Sequence, residues 1–429
     1  TGAMLKILLI SYYFPPCGGA AVQRWLRLIR QTEGSGLHFT VICPIDGIYP
    51  NLDPSLQKQI PASVKLIRTG RAHLGKLWSK VTDKPMPYGD LKTGRGDSIL
   101  HRALVWIRLN LIIPDLRVFW VPAAYRTAKA ELLLDQYDLV ITTGPPHSTH
   151  LVGYLLKKRY KLLWVSDWRD PWVQIHYLQL NPPSRLSLMI HKHLEKLMLK
   201  QSDLALVVSR YISDSLPPGN KRILYNSVDP NEFPSYEDMT NSRSEKNSES
   251  FTIKYVGQLT AGQDIVPLLQ LLDSLTEDIR FQFIGTKLSD ELEAAIHSLK
   301  RLKVERKSFL SHQEAIAEML SAQLLILLIN DYPGSEGMVT TKLFEYLASR
   351  RPILCVGNTK SEASRLIDSY QAGACFEYNQ LQSAGEYLQD LIRDYQKGIE
   401  HINKADLSEL MQPHLLEYLQ ELNYSKSSH

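Results

Sequence analysis

Four short segments gather residue types from which binding or catalysis can be built, and each directly follows an apolar run rich in β-branched residues. The sharpest is Gly334-Ser335-Glu336-Gly337-Met338-Val339-Thr340-Thr341-Lys342-Leu343-Phe344-Glu345, a glycine-bearing loop that enters a helical pattern. Thr340, Thr341 and Lys342 fall in the first turn, where free N–H groups, the positive helix end and an ammonium together suit a diphosphate. Glu345, three residues after Lys342, shares its face and can reach an adjacent ribose diol. The bland alternative is a surface Lys–Glu pair worth about 0.3 kcal/mol; the strand-end glycine loop favours the ligand.

The second segment, Pro15-Pro16-Cys17-Gly18-Gly19-Ala20-Ala21, also opens a helix, and Gly18 and Gly19 allow the backbone to approach an anion. It is not GxGxxG, which argues against a dinucleotide. Arg24, one turn on, points to the same ligand or to solvent. The third runs from Thr142 to His150. Ser148 or Thr149 is a candidate helix cap, and His147 and His150, three apart, can share a face. No further metal ligand is suitably spaced, and a turn histidine more often hydrogen-bonds than catalyses. The fourth is Ser166-Asp167-Trp168-Arg169-Asp170-Pro171-Trp172. Two carboxylates at the end of a buried strand are costly unless paired or used, and an Asp–Arg pair accounts for one. The spacing is DxxD, not DxD, so no metal is implied.

These loops need a scaffold, and the rhythm of the chain supplies it. Buried runs at 5–11, 39–44, 64–69, 138–144, 162–168 and 204–209 alternate with helical patterns such as 20–29, 124–134 and 148–159. The cycle restarts with strands at 251–257, 279–285, 304–310, 324–330 and 352–357, separated by helical 265–275, 289–300, 313–321, 340–349 and 361–369. Short runs apolar throughout indicate parallel strands covered on both faces. The fold class expected is α/β, with two Rossmann-like doubly wound domains facing across a cleft. The first spans 1–217, the second 218–400, and a helical pattern at 405–423 closes the chain. Residues 70–98 read as an irregular insertion and 238–250 as an exposed loop. In such sheets ligands bind beyond the carboxyl ends of the strands, where all four segments lie.

The chain has 429 residues, 44% hydrophobic and 22% charged, enough for two cores. Its longest unbroken apolar run, Leu324 to Ile329, is far below the roughly 20 residues of a spanning helix. Thr1, Gly2 and Ala3 before Met4 read as an expression scar. Four distant cysteines, with no CxxC, fit a reducing cytoplasm. Charge is uneven: residues 1–215 hold 28 Lys+Arg against 15 Asp+Glu, whereas the remainder holds 21 against 30. A first half at +13 and a second at −9 suggest an anionic partner for the first. Residues 102–120 mix Arg102, Arg108 and Arg117 with Trp106, Ile112, Ile113, Phe119 and Trp120, which suits a helix in a membrane interface or a core helix with snorkelling arginines.

The opening KILLISYYFPPCGGAAVQRW, then TTGPPHSTHL, VSDWRDPW, YNSVD, YVGQL and TTKLFEYLASRRPIL stand in an order that resembles family 4 retaining glycosyltransferases of the GT-B fold. The resemblance covers most of the chain and implies an acceptor-side first domain, a donor-binding second domain, and a last helix, 405–423, that crosses back to the first. It implies metal-independent transfer of a sugar from a nucleotide-sugar donor, UDP- or GDP-linked, to an acceptor hydroxyl with retention. No other cofactor, no metal and no nucleic acid is expected. Carried onto this sequence, it gives Glu345 the donor ribose and Thr340, Thr341 and Lys342 the diphosphate. Gly18 and Gly19 become the loop that closes on the phosphates, and Gly257, with Gln258, opens the donor-side loop. Asp167 falls beside the reacting sugar; Arg169, Asp170 and His147 complete the candidate catalytic group, with Arg24 and His150 on the acceptor side. The family's paired glutamates stand eight apart, whereas here Gly337 precedes Glu345 by eight and Glu336 is one place off. The acceptor implied is anionic, lipid-linked or a glycan, at the inner face of a membrane, in polysaccharide or glycolipid synthesis. A sugar-nucleotide 2-epimerase of the same fold and a non-catalytic nucleotide-sugar-binding protein are the alternatives.

Overall fold

The structure, a computed structural model, describes residues 4–49, 52–71, 99–175, 178–179, 181–241, 250–260, 262–330, 335–337, 339–411 and 414–427. The chain divides into two units, one of Thr1–Tyr225 with Pro413–His429 and one of Asn226–Gln412.

The first unit carries β1 (Leu5–Ile10), β2 (Leu37–Asp46), β3 (Lys65–Arg71), β4 (Leu139–Gly144), β5 (Leu163–Trp168), β6 (Leu204–Val207) and β7 (Lys221–Ile223). They form one sheet in the order β3-β2-β1-β4-β5-β6-β7, parallel at every pairing. The main helices are α1 (Ala20–Gln31), α2 (Ile99–Asn110), α3 (Val121–Leu134), α4 (Thr149–Tyr160) and α5 (Arg185–Gln201). β4 and β5 are buried at every residue, as expected in a parallel sheet covered on both faces.

In the second unit β8 (Phe251–Val256), β9 (Ile279–Ile284), β10 (Lys303–Lys307), β11 (Leu324–Leu328), β12 (Ile353–Val356) and β13 (Gly373–Phe376) follow the order β10-β9-β8-β11-β12-β13, again parallel. Its helices are α6 (Val266–Ser274), α7 (Asp290–His297), α8 (His312–Leu320), α9 (Thr341–Ala348), α10 (Glu362–Ser369) and α11 (Leu381–Gln396). α12 (Leu415–Ser427) belongs to the first unit, where Leu415 and Leu419 are fully buried among Leu5, Ile7, Leu9 and Trp25.

Each sheet reverses its strand order once, between β1 and β4 in the first unit and between β8 and β11 in the second. Such switch points leave a crevice at the carboxyl ends of the strands. The Gly18–Gly19 loop follows β1 and the 145–148 loop follows β4; in the second unit Gly257 follows β8 and the loop into Lys342 follows β11.

Four features differ from the sequence reading. The units part near 225, not 217, because β7 adds a seventh strand to the first sheet. The returning segment starts at 413, not 405: Ser408–Met411 stays with the second unit, where the Leu410 carbonyl accepts from Val228 N. Residues 102–120 are not one helix. α2 stops at Asn110, Pro114 cannot continue it, and Asp115 caps a separate turn at Leu116–Trp120 through Arg117 N. The polar stretch 238–250 begins inside a short helix, Tyr236–Asn241, while 242–249 and most of the 70–98 insertion lie outside the described residues.

Candidate functional site

The second unit builds its site around Lys342. β8 ends at Val256, and Gly257 follows with φ +104°, in the left-handed region that favours glycine. A Cβ at Gly257 would lie 3.2 Å from Lys342 Cε and 3.3 Å from its Nζ, so the bare backbone makes room for the lysine. The ammonium sits 4.0 Å from the centre of the Tyr255 ring, a cation–π seat. Tyr255 is itself held, its hydroxyl donating to the Gln258 carbonyl at 2.9 Å. Among the described residues Lys342 forms no ion pair. Burial disfavours its charged form and pulls its pKa down to about 7, against the opposing charge of Glu345.

Around this lysine the neighbouring loops are tied together. The Gln258 side chain donates to the Gly285 carbonyl and accepts from Lys287 N, so it links the loops after β8 and β9. Thr286 Oγ1 donates to the Gly257 carbonyl at 2.6 Å. Gln263 donates to the Leu328 carbonyl at the end of β11, and Tyr346 accepts from Val256 N at 3.0 Å, fastening α9 to β8. Thr340 caps α9 by its backbone position without a side-chain cap bond, and its buried Oγ1 has no hydrogen-bond partner among the described residues. Thr341, Lys342 and Glu345 are half-buried on the first turns of that helix; Gly337 lies in a short turn before it, with Glu336 beside it. Among the described residues, an ammonium without an ion pair, a hydroxyl without a partner and a helix start thus meet at one strand edge, the arrangement expected to receive an anion.

In the first unit Asp167 is fully buried. Its carboxylate accepts from Arg24 at 2.8 Å, from Trp25 Nε1 at 2.8 Å and from Thr143 Oγ1 at 2.8 Å. The Arg24 charge and hydrogen bonds outweigh burial and hold its pKa below the usual carboxylate range. Arg24, also buried, donates a further bond to the Tyr225 carbonyl. This pair therefore braces β5 against α1. Asp167, expected beside the sugar, and Arg24, expected on the acceptor side, are both enclosed and engaged with each other. Trp25 and Thr143, the remaining partners, had no signal beyond their apolar or turn setting.

Arg169 is different. Its guanidinium donates to the Gly144 carbonyl at 3.3 Å and to that of Pro145, clasping the β4 loop, and among the described residues it has no ion pair. Gly18 is buried and Gly19 exposed, with φ +99° and open space where a Cβ would stand. Asp170 is exposed.

His147 and His150 do come together, each packed against a tryptophan. His147 stacks on Trp172 at 5.2 Å with an interplanar angle of 3°. His150 stacks on Trp168 at 4.6 Å; Nδ1 pairs with Thr142 Oγ1 at 2.9 Å, and Nε2 has no partner among the described residues. Burial pushes the pKa of His147 far down and that of His150 to about 3, so both rings are neutral. Neither Ser148 nor Thr149 caps α4 with its side chain: Ser148 bonds Asp115, and Thr149 donates to the Thr143 and Pro146 carbonyls.

Neither family models nor curated proteins match the sequence. Solved structures do match in fold. Sucrose-phosphate synthase (tll1590) from Thermosynechococcus elongatus superposes with a TM-score of 0.60 at 13% identity, over 99% of this chain and 100% of that one. Anabaena Alr3699/HepE in complex with UDP gives 0.59 at 16% identity, over 99% and 100%. The lipopolysaccharide outer core galactosyltransferase WaaB gives 0.53 at 14%, over 98% and 100%. At such identities the likeness speaks for architecture alone: two parallel-sheet Rossmann-like units in the fold of the GT-B glycosyltransferases.

Proposed function

We propose that the protein is a retaining glycosyltransferase that moves a sugar from a nucleotide-sugar donor to the hydroxyl of an anionic acceptor, lipid-linked or a glycan. The observation that carries this reading is Lys342, an ammonium with no ion pair among the described residues at the switch point of the second sheet, with Glu345 one turn along α9. Lys342, the α9 N-terminus and Thr340 take the diphosphate, and Glu345 takes the ribose. Gly257 provides the close backbone approach. In the first unit Arg169, without a carboxylate partner among the described residues, is the cation left for a phosphate or an acidic acceptor.

The reaction breaks the bond between the anomeric carbon and the diphosphate oxygen. The acceptor oxygen bonds to that carbon on the same face, and its proton passes to the departing phosphate. Catalysis in this scheme is positioning and stabilisation of the leaving diphosphate. No side-chain base is required, which agrees with the engagement of Asp167 by Arg24.

The experiment is a thermal-shift screen with UDP-, GDP-, dTDP- and ADP-sugars, followed by calorimetry with the best ligand on wild type and Lys342→Met. Binding that the substitution weakens supports the donor site. Transfer with retained anomeric configuration, read by NMR, supports the reaction. Binding of no nucleotide sugar, or equal binding by a folded Lys342→Met, overturns the reading. Donor turnover without acceptor to the C2 epimer favours the epimerase.

A further inference from the structure

α2 and α5 both turn apolar side chains outward. On α2, Val105 and Leu109 are buried against Ile175 and Leu178, which fixes the inner face. The outer face then presents Arg102, Ala103, Trp106 and Ile107, with Leu111 directly after the helix. On α5, His191 and Glu195 face inward, each engaged by Trp172, so Leu186, Met189 and Ile190 lie outside at helical spacing. Trp106, Ile107, Leu111, Leu186, Met189 and Ile190 are 40–69% exposed. Asn110 brings the two stretches side by side. Its Oδ1 accepts from Ser184 N at 2.7 Å, its carbonyl accepts from Ser187 Oγ at 3.0 Å, and its amide donates to the Trp106 carbonyl.

Six large apolar side chains grouped on one surface exceed the scatter normal for a protein exterior. The surrounding charge selects the occupant. Residues 99–111 and 184–194 contain no Asp or Glu, while Arg102, Arg185 and Lys192 are exposed among them. Apolar side chains with Trp, accompanied within these two segments by exposed cations and no acid, match the interface of an anionic bilayer, where apolar groups enter the headgroup boundary and cations meet lipid phosphates. Arg108, Arg117 and Trp120 take no part. Arg108 and Trp120 are buried, and Arg117 is buried 5.9 Å from the Tyr12 ring.

We infer that the outer faces of α2 and the first turns of α5 form a docking surface for an anionic phospholipid bilayer. The inference rests on the proposed function only in that a lipid-linked acceptor would be met there.

The test is co-sedimentation of the full chain with vesicles of phosphatidylglycerol and phosphatidylcholine, against phosphatidylcholine alone, at low and high salt. Wild type should bind the anionic vesicles at least fivefold better at low salt, and lose most of that preference at high salt. Trp106→Ser/Met189→Ser and, separately, Arg102→Glu/Arg185→Glu should each cut binding about tenfold with unchanged melting temperatures. Absence of anionic preference, or wild-type binding by both folded variants, overturns the surface. So does a dimer, seen by sedimentation velocity, that the apolar variant abolishes while vesicle binding is absent; the patch then belongs to a second copy. Nucleotide-sugar calorimetry without vesicles separates this outcome from the proposed function, since loss of either result leaves the other standing.

Discussion

Raising the pH from 6.5 to 8.5 should weaken nucleotide-sugar binding through one side chain. Lys342 holds its ammonium over the Tyr255 ring with no ion pair among the described residues, and burial brings its pKa to about 7. A diphosphate beside it favours the charged form, so above pH 7 binding must take up a proton. At pH 6.5 about three-quarters of the free protein carries the charge; at pH 8.5 only roughly 3% does, because each unit above the pKa costs about 1.4 kcal/mol. The dissociation constant should therefore rise roughly 20-fold over that interval. The esterified diphosphate of a sugar nucleotide does not titrate there.

Calorimetry at pH 6.5, 7.5 and 8.5, in buffers of different ionisation enthalpy, reads both the affinity and the protons taken up. Uptake should approach one proton at pH 8.5, and Lys342→Met should bind weakly with a flat profile. The unliganded protein should show the opposite sign. The unfolded chain keeps its lysine proton up to the ordinary value near 10.4, so stability should climb between pH 7 and 10. A wild-type affinity equal at pH 6.5 and 8.5, with no buffer dependence, would refute the reasoning.

Glu345→Ala should weaken nucleotide binding by about 1.5–3 kcal/mol, as for a lost hydrogen bond to a charged group, read by titration of nucleoside diphosphate. Asp167→Asn leaves the Arg24 guanidinium buried without its counter-charge and should cost about 3–5 kcal/mol in denaturant unfolding, with nucleotide affinity unchanged. Equal stability would mean that the brace is dispensable. His147 and His150 refuse protons in the fold that the unfolded chain accepts below about pH 6.5. Stability should thus fall by about 1.4 kcal/mol per unit for each ring between pH 6 and 5, measured by chemical unfolding, and His150→Gln should flatten the slope. Cys375, half-buried with its thiol pulled down by Cys355, should alkylate first; burial pushes Cys17 up to about 12 and Cys43 to about 11. Peptide mass mapping after brief iodoacetamide treatment checks the order.

The strands that write themselves plainly are those buried on both faces: β1, β4, β5, β8 and β11 are rich in apolar and β-branched residues because both sides meet helices. β7 and β13 escaped notice for the converse reason. Lys221–Ile223 is three residues at a sheet edge, and Gly373–Phe376 opens with glycine and is only half-buried. α5 is legible in retrospect, but its outward apolar stripe blurs the amphipathic pattern that marks a surface helix. In the site, glycine loops and helix starts could be located because they are local. Pairings across the sheet could not: Asp167 reaches Arg24 over 143 positions, and no spacing rule foretells which of two carboxylates an arginine will take. Tyr255 stood in a segment noted for its glycine, yet its ring becomes a cation seat only once α9 lies beside β8.

The two kinds of charge in these sheets explain why sequence types alone mislead about role. Asp167 and Arg24 look reactive, but a buried ion pair with two further donors is a closed unit whose partners are all inside the protein. Lys342 and Arg169 look like ordinary basic residues, yet neither has an ion pair among the described residues, and each lies at the carboxyl end of its own sheet. Keeping a cation away from water without an acid beside it costs stability. The fold bears that cost at Lys342, down to a pKa of about 7, while an acid stands only one turn away. Such a cation is best understood as half of a pair whose other half arrives from outside. A permanent carboxylate at that spot would stabilise the empty protein and compete with the incoming anion. Introducing one is accordingly a direct test. Thr340→Asp, at the N-cap of α9, should raise the melting temperature of the free protein, as an acidic cap does, and weaken nucleotide-sugar binding at least tenfold. A variant that gains stability and binds as well as wild type would show that Lys342 does not hold the phosphates.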